Sequence, residues 1–156
     1  VDVAQHEFTV PNPRNMRGKV EALQKAISKH AQYEPETKHT FHGGMYCREV
    51  RSAQGALIVG KVHKQEHFFM LLSGSIIVTE GDNAKSVTAP CILNSKPGTK
   101  RAIFMVEPSV FATVHRTDTT TVEDAENELV EFDPDAMFDV GNIAKPQDVG
   151  AISWRS

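Results

Sequence analysis

The sequence predicts an all-β protein, an antiparallel double-sheet jelly roll with an α-helix on its N-terminal side and an extension on its C-terminal side. Between Thr40 and His115 about eight short apolar or β-branched runs are separated by Gly, Pro, Asn and Asp clusters. No helical stripe is interleaved with those runs, which removes the α/β architectures and leaves a sandwich or barrel. The one clear three-and-four spacing of apolar residues lies before them.

A chain of 156 residues, 40% hydrophobic and 24% charged, is long enough for one core without help from a disulfide or a metal. The organisation expected is an N-terminal arm and helix over 1–39, a barrel over 40–116, and an acidic linker and tail over 117–156, together one globular domain. A net charge of -3 gives no bulk field for nucleic acid or a membrane surface, so neither is an expected partner. No apolar run approaches the ~20 residues needed to span a bilayer. Cys47 and Cys91 sit in strand-like surroundings without C-x-x-C spacing, and read as buried free thiols of a reducing compartment rather than as a bridge.

Taken in order, Val1 to Pro13 is irregular, with Pro11 and Pro13 bracketing Asn12. From Arg14 to Gln32, Met16, Val20, Leu23, Ile27 and Ala31 make one helical stripe, with Asn12 as cap and Pro13 in the first turn. Such a helix closes the open bottom of a barrel or makes a dimer contact. His30 near its end reads as a solvated residue at the helix C-terminus. Tyr33 to His39 reads as a polar loop. Thr40 to Val50 reads as one or two strands interrupted by Gly43-Gly44, with His42 at either the surface or the site.

Ala56 to His63 and Phe68 to Leu72 are strand-like and flank three polar residues, so His63 and His67 are expected to face each other across a tight corner. Ile76 to Thr79, a turn at Gly81-Asp82-Asn83, Lys85 to Thr88 and Cys91 to Asn94 follow. Arg101 to Val106 and Val110 to His115 are separated by Glu107-Pro108-Ser109. A hairpin centred on that turn would set Arg101 opposite or beside His115. Val122 to Val130 is expected to be a short helix capped by Thr121, with Glu123, Asp124, Glu126 and Glu128 on a solvated face. The tail beyond Glu131 holds Phe132, Met137, Phe138 and Trp154 as isolated apolar anchors, and is expected to wrap its own barrel or a partner subunit.

The spacing of Gly55, Lys61, His63, His67 and Gly74 resembles the first motif of the cupins, G-x5-H-x-H-x3-E-x6-G. Pro90, Lys96, Gly98 and Arg101 resemble the second, G-x5-P-x-G-x2-H. Spacing is kept through both motifs while residue identity is not. The four positions where that family places metal ligands carry Lys61, His63, His67 and Arg101, so two of them can hold a metal in the ordinary way. The resemblance implies a double-stranded β-helix with these residues at one mouth. In that arrangement the strand bearing His63 neighbours the one bearing Arg101, and the strand starting at His67 neighbours the one ending at His115. Ala89-Pro90, Pro97 to Arg101, Thr113-Val114-His115 and the acidic run Glu123 to Leu129 also resemble cupin-like proteins of tailed phages and prophages. That likeness implies a bacterial host cytoplasm or a virion as location, with other virion proteins as partners. Cupins are commonly dimers, and the terminal segments suit exchange between subunits.

His63, His67 and His115 can form a three-histidine site for iron, nickel or zinc, since neutral imidazole suits these ions. Lys61 and Arg101 point instead to a small anionic ligand, Arg101 offering a planar fork for carboxylate or phosphate. Lys64, Lys96 and Lys100 lie at or near the same rim. Three functions stay open. One is an enzyme, metal-assisted or with His63 or His67 as general base and Lys61 or Arg101 stabilising the anion formed. Another is a protein that captures an anionic metabolite. The third is a structural module without catalysis.

Overall fold

The computed structural model describes residues 16–146. The element order is α1 (Met16–Ile27), β1 (Glu36–His42), β2 (Met45–Ser52), β3 (Leu57–Val59), β4 (His67–Ser73), β5 (Ser75–Glu80), β6 (Asn83–Thr88), β7 (Cys91–Ser95), β8 (Ala102–Met105), β9 (Ser109–Arg116) and α2 (Val122–Leu129), then a 3-10 turn at Val140–Asn142. The strands form two sheets, one ordered β1-β2-β9-β4-β7 and the other β3-β8-β5-β6, and every pairing is antiparallel. This is the predicted all-β double-sheet fold, with the N-terminal helix in place. Among the described residues no helix is long and apolar enough to cross a membrane, and Cys47 and Cys91 are both free.

Alternation builds the core. Val50, Phe69, Leu71, Leu93 and Phe111 from the five-stranded sheet meet Ile76, Val78, Ile103 and Met105 from the other, all nearly inaccessible to solvent. Removing that apolar area from water at about 25 cal/mol per Å² is the main favourable contribution to folding.

Several boundaries differ from expectation. β1 starts at Glu36, inside the stretch read as a polar loop, because Thr37, His39 and Phe41 alternate inward on an edge strand whose composition is polar. Gly43 and Gly44 both take positive φ, +57° and +75°, and turn β1 back onto β2 as a two-residue hairpin. α1 ends at Ile27, short of Gln32, since the Gln32 side chain donates to the carbonyls of Ile27 and His30 and so satisfies the helix end. The proposed Asn12 cap, the arm and Trp154 lie outside the described residues.

The largest correction concerns the turn at Glu107-Pro108. β8 and β9 do not pair with each other: β8 lies between β3 and β5, and β9 lies between β2 and β4 in the opposite sheet. The turn carries the chain from one sheet to the other, with the amides of Val106 and Glu107 donating to the Ser75 carbonyl. Arg101 and His115 therefore belong to opposite layers. The neighbour relations implied by the resemblance hold, because β3 pairs with β8 and β4 with β9.

Two covering elements shape the mouth. α1 places Val20 against Val59, Ala102 and Met137, so it packs on its own barrel. α2 begins at Thr121, whose hydroxyl accepts from the Asp124 amide, and lays Ala125 and Leu129 on Tyr46. The following segment docks through the Glu131 amide on the Val62 carbonyl and through Asp133 on Lys100 and Gln24. Met137 and Phe138 anchor it, whereas Phe132, expected as an anchor, stands in solvent.

Gly74 joins β4 to β5 across the two sheets with φ +87°, and a Cβ there would run into the Ser109 side chain and the Pro108 carbonyl. Gly74→Ala is expected to destabilise the fold by about 2–4 kcal/mol, from the left-handed backbone and the backbone clash together. Urea unfolding of the two proteins measures it, and a difference below about 1 kcal/mol would show that the corner relaxes freely.

Candidate metal centre

Three neighbouring strands fix the site by register. On the inner face, Tyr46 of β2 lies opposite His115 of β9, and Phe68–Val114 pairing brings His67, the first residue of β4, alongside His115. The next inward rung, two residues or about 7 Å towards the core, carries Arg48, Thr113 and Phe69. His63 arrives from the other sheet, where the chain leaves β3. It is held by a bridge to Val130 and by bonds with Thr99 and Gly98.

The three imidazoles are buried and stacked. Ring centroids lie 4.3 Å apart for His63–His67 and His67–His115, and 4.8 Å apart for His63–His115. One ring nitrogen from each falls within 4.8 Å of the others. His67 Nδ1 donates to the Gln65 carbonyl at 3.0 Å, which leaves its Nε2 lone pair free. His63 Nδ1 and His115 Nε2 are 2.8 Å apart and share one proton, while His115 Nδ1 is buried without a partner.

Burial is the main reason these rings stay neutral. Desolvation, followed by the charge of Arg48 and the neighbouring histidines, holds His63 well below the ordinary histidine range. Desolvation and the His67 and Arg48 charges push His115 down to about 3. His67 is lowered too, again chiefly by burial. Neutral imidazoles are the form that binds a metal, so the donor set fits a divalent transition ion.

A cavity of about 60 Å³ opens beside His63 and His67, with room for roughly four waters. Val50, Phe69, Ile103 and Phe111 form its apolar side, and Phe138 and Asn142 of the covering segment form its mouth. Arg48, Lys61 and Arg101 line it and no carboxylate does. On the far side, His67 and His115 border a surface groove with Glu66 and Asn94.

The cations differ in what already holds them. The Lys61 ammonium turns to Glu126, 2.8 Å away, and to the Asp139 carbonyl. Glu126 is thus buried on the inner side of α2 rather than on a solvated face, its second oxygen accepting from the Gly141 amide. Arg101 donates to the Thr79 carbonyl at 2.6 Å and the Ser95 hydroxyl at 2.9 Å, and lies 5.6 Å from the Phe69 ring centre. Lys100 is buried against Asp133, not at the rim, and Lys64 donates to the Asn127 carbonyl. His42 and His30 are exposed.

Arg48 is the residue that sequence reading missed. Its signal was an arginine sharing the inward period of β2 with Tyr46 and Val50.

No protein-family model matches the chain, and no curated protein does. Solved structures similar to it include a cupin superfamily protein from Desulfitobacterium hafniense, with TM-score 0.48 and 11% identity over 57% of this chain and 83% of that one. An uncharacterised protein with a double-stranded β-helix domain from Klebsiella pneumoniae gives 0.49 and 17%, over 63% and 90%. An acetylacetone dioxygenase from Acinetobacter johnsonii gives 0.45 and 14%, over 51% of this chain and 58% of that one.

The depressed histidines couple stability to acid. Their folded pKa values lie below the unfolded value near 6.5, so the unfolded chain takes up protons that the folded one refuses. Stability of metal-free protein is expected to fall as pH drops from about 7 to 5.5, by about 1 kcal/mol for each fully neutral histidine. For His115 the loss continues towards the folded value of about 3. Chelator-treated protein unfolded in urea across that range tests this, and identical midpoints at pH 7 and 5.5 would contradict it.

Proposed function

We propose that this barrel holds a divalent transition metal through His63, His67 and His115 and binds a small anionic molecule in the adjoining cavity. The observation that carries the reading is the convergence of three buried, neutral imidazoles, each with a ring nitrogen within 4.8 Å of the others. Three protein ligands leave coordination positions open, as catalytic metal sites do.

The residues around the three rings support this division of labour. The Gln65 carbonyl fixes the tautomer of His67 and presents its Nε2, the usual second-layer support for a metal-binding histidine. His63 and His115 would give up their mutual hydrogen bond to hold the ion. When bound, a divalent ion supplies Lewis acidity to an oxygen donor in its open positions. The lysine and arginine at positions that hold ligands in cupins need not oppose it, because Glu126 neutralises Lys61 while Arg101 is turned onto Thr79, Ser95 and Phe69. The uncompensated positive charge of the cavity favours an anion, and its size favours a small one.

Protein purified without a histidine tag and exposed to iron(II), nickel or zinc is expected to retain one of them stoichiometrically. A metal concentration ~100-fold above Kd should stabilise it by about 2.7 kcal/mol, raising Tm by about 5–10 °C. His67→Ala and His115→Ala should each abolish both effects. Elemental analysis and thermal unfolding read the result. Retention of metal by both variants, or no uptake by the parent protein, would overturn the three-histidine centre.

A further inference from the structure

We propose that the cavity's ligand is a short monocarboxylate, bound with its carboxylate turned inward onto Arg48 and Thr113 and its organic body against the apolar wall. The inference rests on the reading that the cavity takes a small anion, and names the anion and the residues that recognise it.

Unused donors carry it. Arg48 Nε, Arg101 Nε and Thr113 Oγ1 are buried without hydrogen-bond partners, and all three residues line the same cavity. Thr113 is 5% exposed and Arg101 8%. Arg48 and Thr113 are direct cross-strand partners, so their side chains lie side by side on the inner face. Arg48 and Thr113 therefore sit one rung inward of His67 and His115, and Arg101 lines the same cavity from the opposite sheet.

The charge balance singles out Arg48. Lys61 is paired with Glu126, and the Arg101 guanidinium, though without an ion pair among the described residues, is held by the Thr79 carbonyl, the Ser95 hydroxyl and the Phe69 ring. Among the described residues Arg48 makes no ion pair, and its only hydrogen bond runs 3.5 Å to the Asn142 amide oxygen, at the limit of what counts as one. A guanidinium with neither an ion pair nor a full set of hydrogen bonds favours a negative charge beside it. The Arg48 Nε–H and the neighbouring Thr113 hydroxyl are side-by-side donors that suit a carboxylate, whose two oxygens take up to four bonds. The neighbouring surface of Val50, Phe69 and Phe111 has no donors for the remaining oxygens of a phosphate but suits an alkyl or acyl group. A space of about 60 Å³ admits a body of only a few carbons.

Acetate, pyruvate, acetamide and inorganic phosphate are titrated by calorimetry into metal-loaded and chelator-treated protein. The carboxylates are expected to bind, acetamide and phosphate to bind at least tenfold more weakly. Arg48→Met should weaken acetate by ~10- to 100-fold, and Thr113→Val by ~3- to 10-fold, the ranges for losing a charged and a neutral hydrogen bond. Metal content, measured on the same samples, should be unchanged in both variants. Equal acetate affinity in the parent and Arg48→Met proteins, acetamide binding as well as acetate, or phosphate binding tighter than acetate would each overturn the assignment. Should Arg48→Met fail to fold, Thr113→Val decides alone, and unaltered affinity in it overturns the assignment. Loss of metal with Arg48-dependent acetate binding intact would remove the metal centre and leave the carboxylate site standing.

Discussion

The lateral pairing of β2, β9 and β4 is the constraint from which the site follows. Side chains alternate between faces with a period of two, so once Tyr46 is opposite His115 and Phe69 opposite Thr113, the composition of each inner rung is fixed. A slip of one residue between β4 and β9 would turn His67 outward and bring exposed Phe68 into the core. The buried Phe69 and Leu71 of β4 resist such a slip, because it would place both side chains in water. The polar rungs at the mouth are thus held in register by the hydrophobic ones beneath them.

That arrangement sets the electrostatics of the mouth. Placing three imidazoles in contact with one another and away from water suppresses their protonation, and the Arg48 charge nearby adds to the effect. The fold compensates most of its other buried charges locally, Lys61 with Glu126 and Lys100 with Asp133. It leaves Arg48, Thr113 and His115 with unused polar atoms. Buried polar groups are satisfied in the great majority of cases, and Arg48, Arg101 and Thr113 are exceptions that line one cavity.

The covering elements belong to the site as much as the barrel does. α2 delivers Glu126 to Lys61, and the segment after it sets Phe138 and Asn142 at the cavity mouth, with Asn142 touching Arg48. α1 supports that segment through Gln24, which donates to Asp133 and to the Asp135 carbonyl. The acidic run of α2, which in isolation has the composition of a solvated helix, turns one carboxylate inward. Its apolar residues Ala125 and Leu129 lie on Tyr46 and fix which way the helix faces.

Periodicity, turn residues and motif spacing are local properties, and the sequence alone determined what depends on them. It determined the all-β class, the turns at Gly43-Gly44 and at Gly81, the Thr121-capped helix, and the candidacy of His63, His67 and His115, which the structure brings together. The polar edge strand β1 was hidden because alternation is hard to see where the inward residues are Thr37 and His39. What only the tertiary structure decided was partner choice between segments far apart in the chain. It sent β8 and β9 to opposite sheets, paired Lys61 with a glutamate 65 residues later, and left Arg48 without an ion pair among the described residues. The physical reason is that an ion pair or a sheet crossover depends on distances in space, which no pattern of neighbours along the chain encodes, whereas a strand or a turn is set by the conformational preferences of consecutive residues.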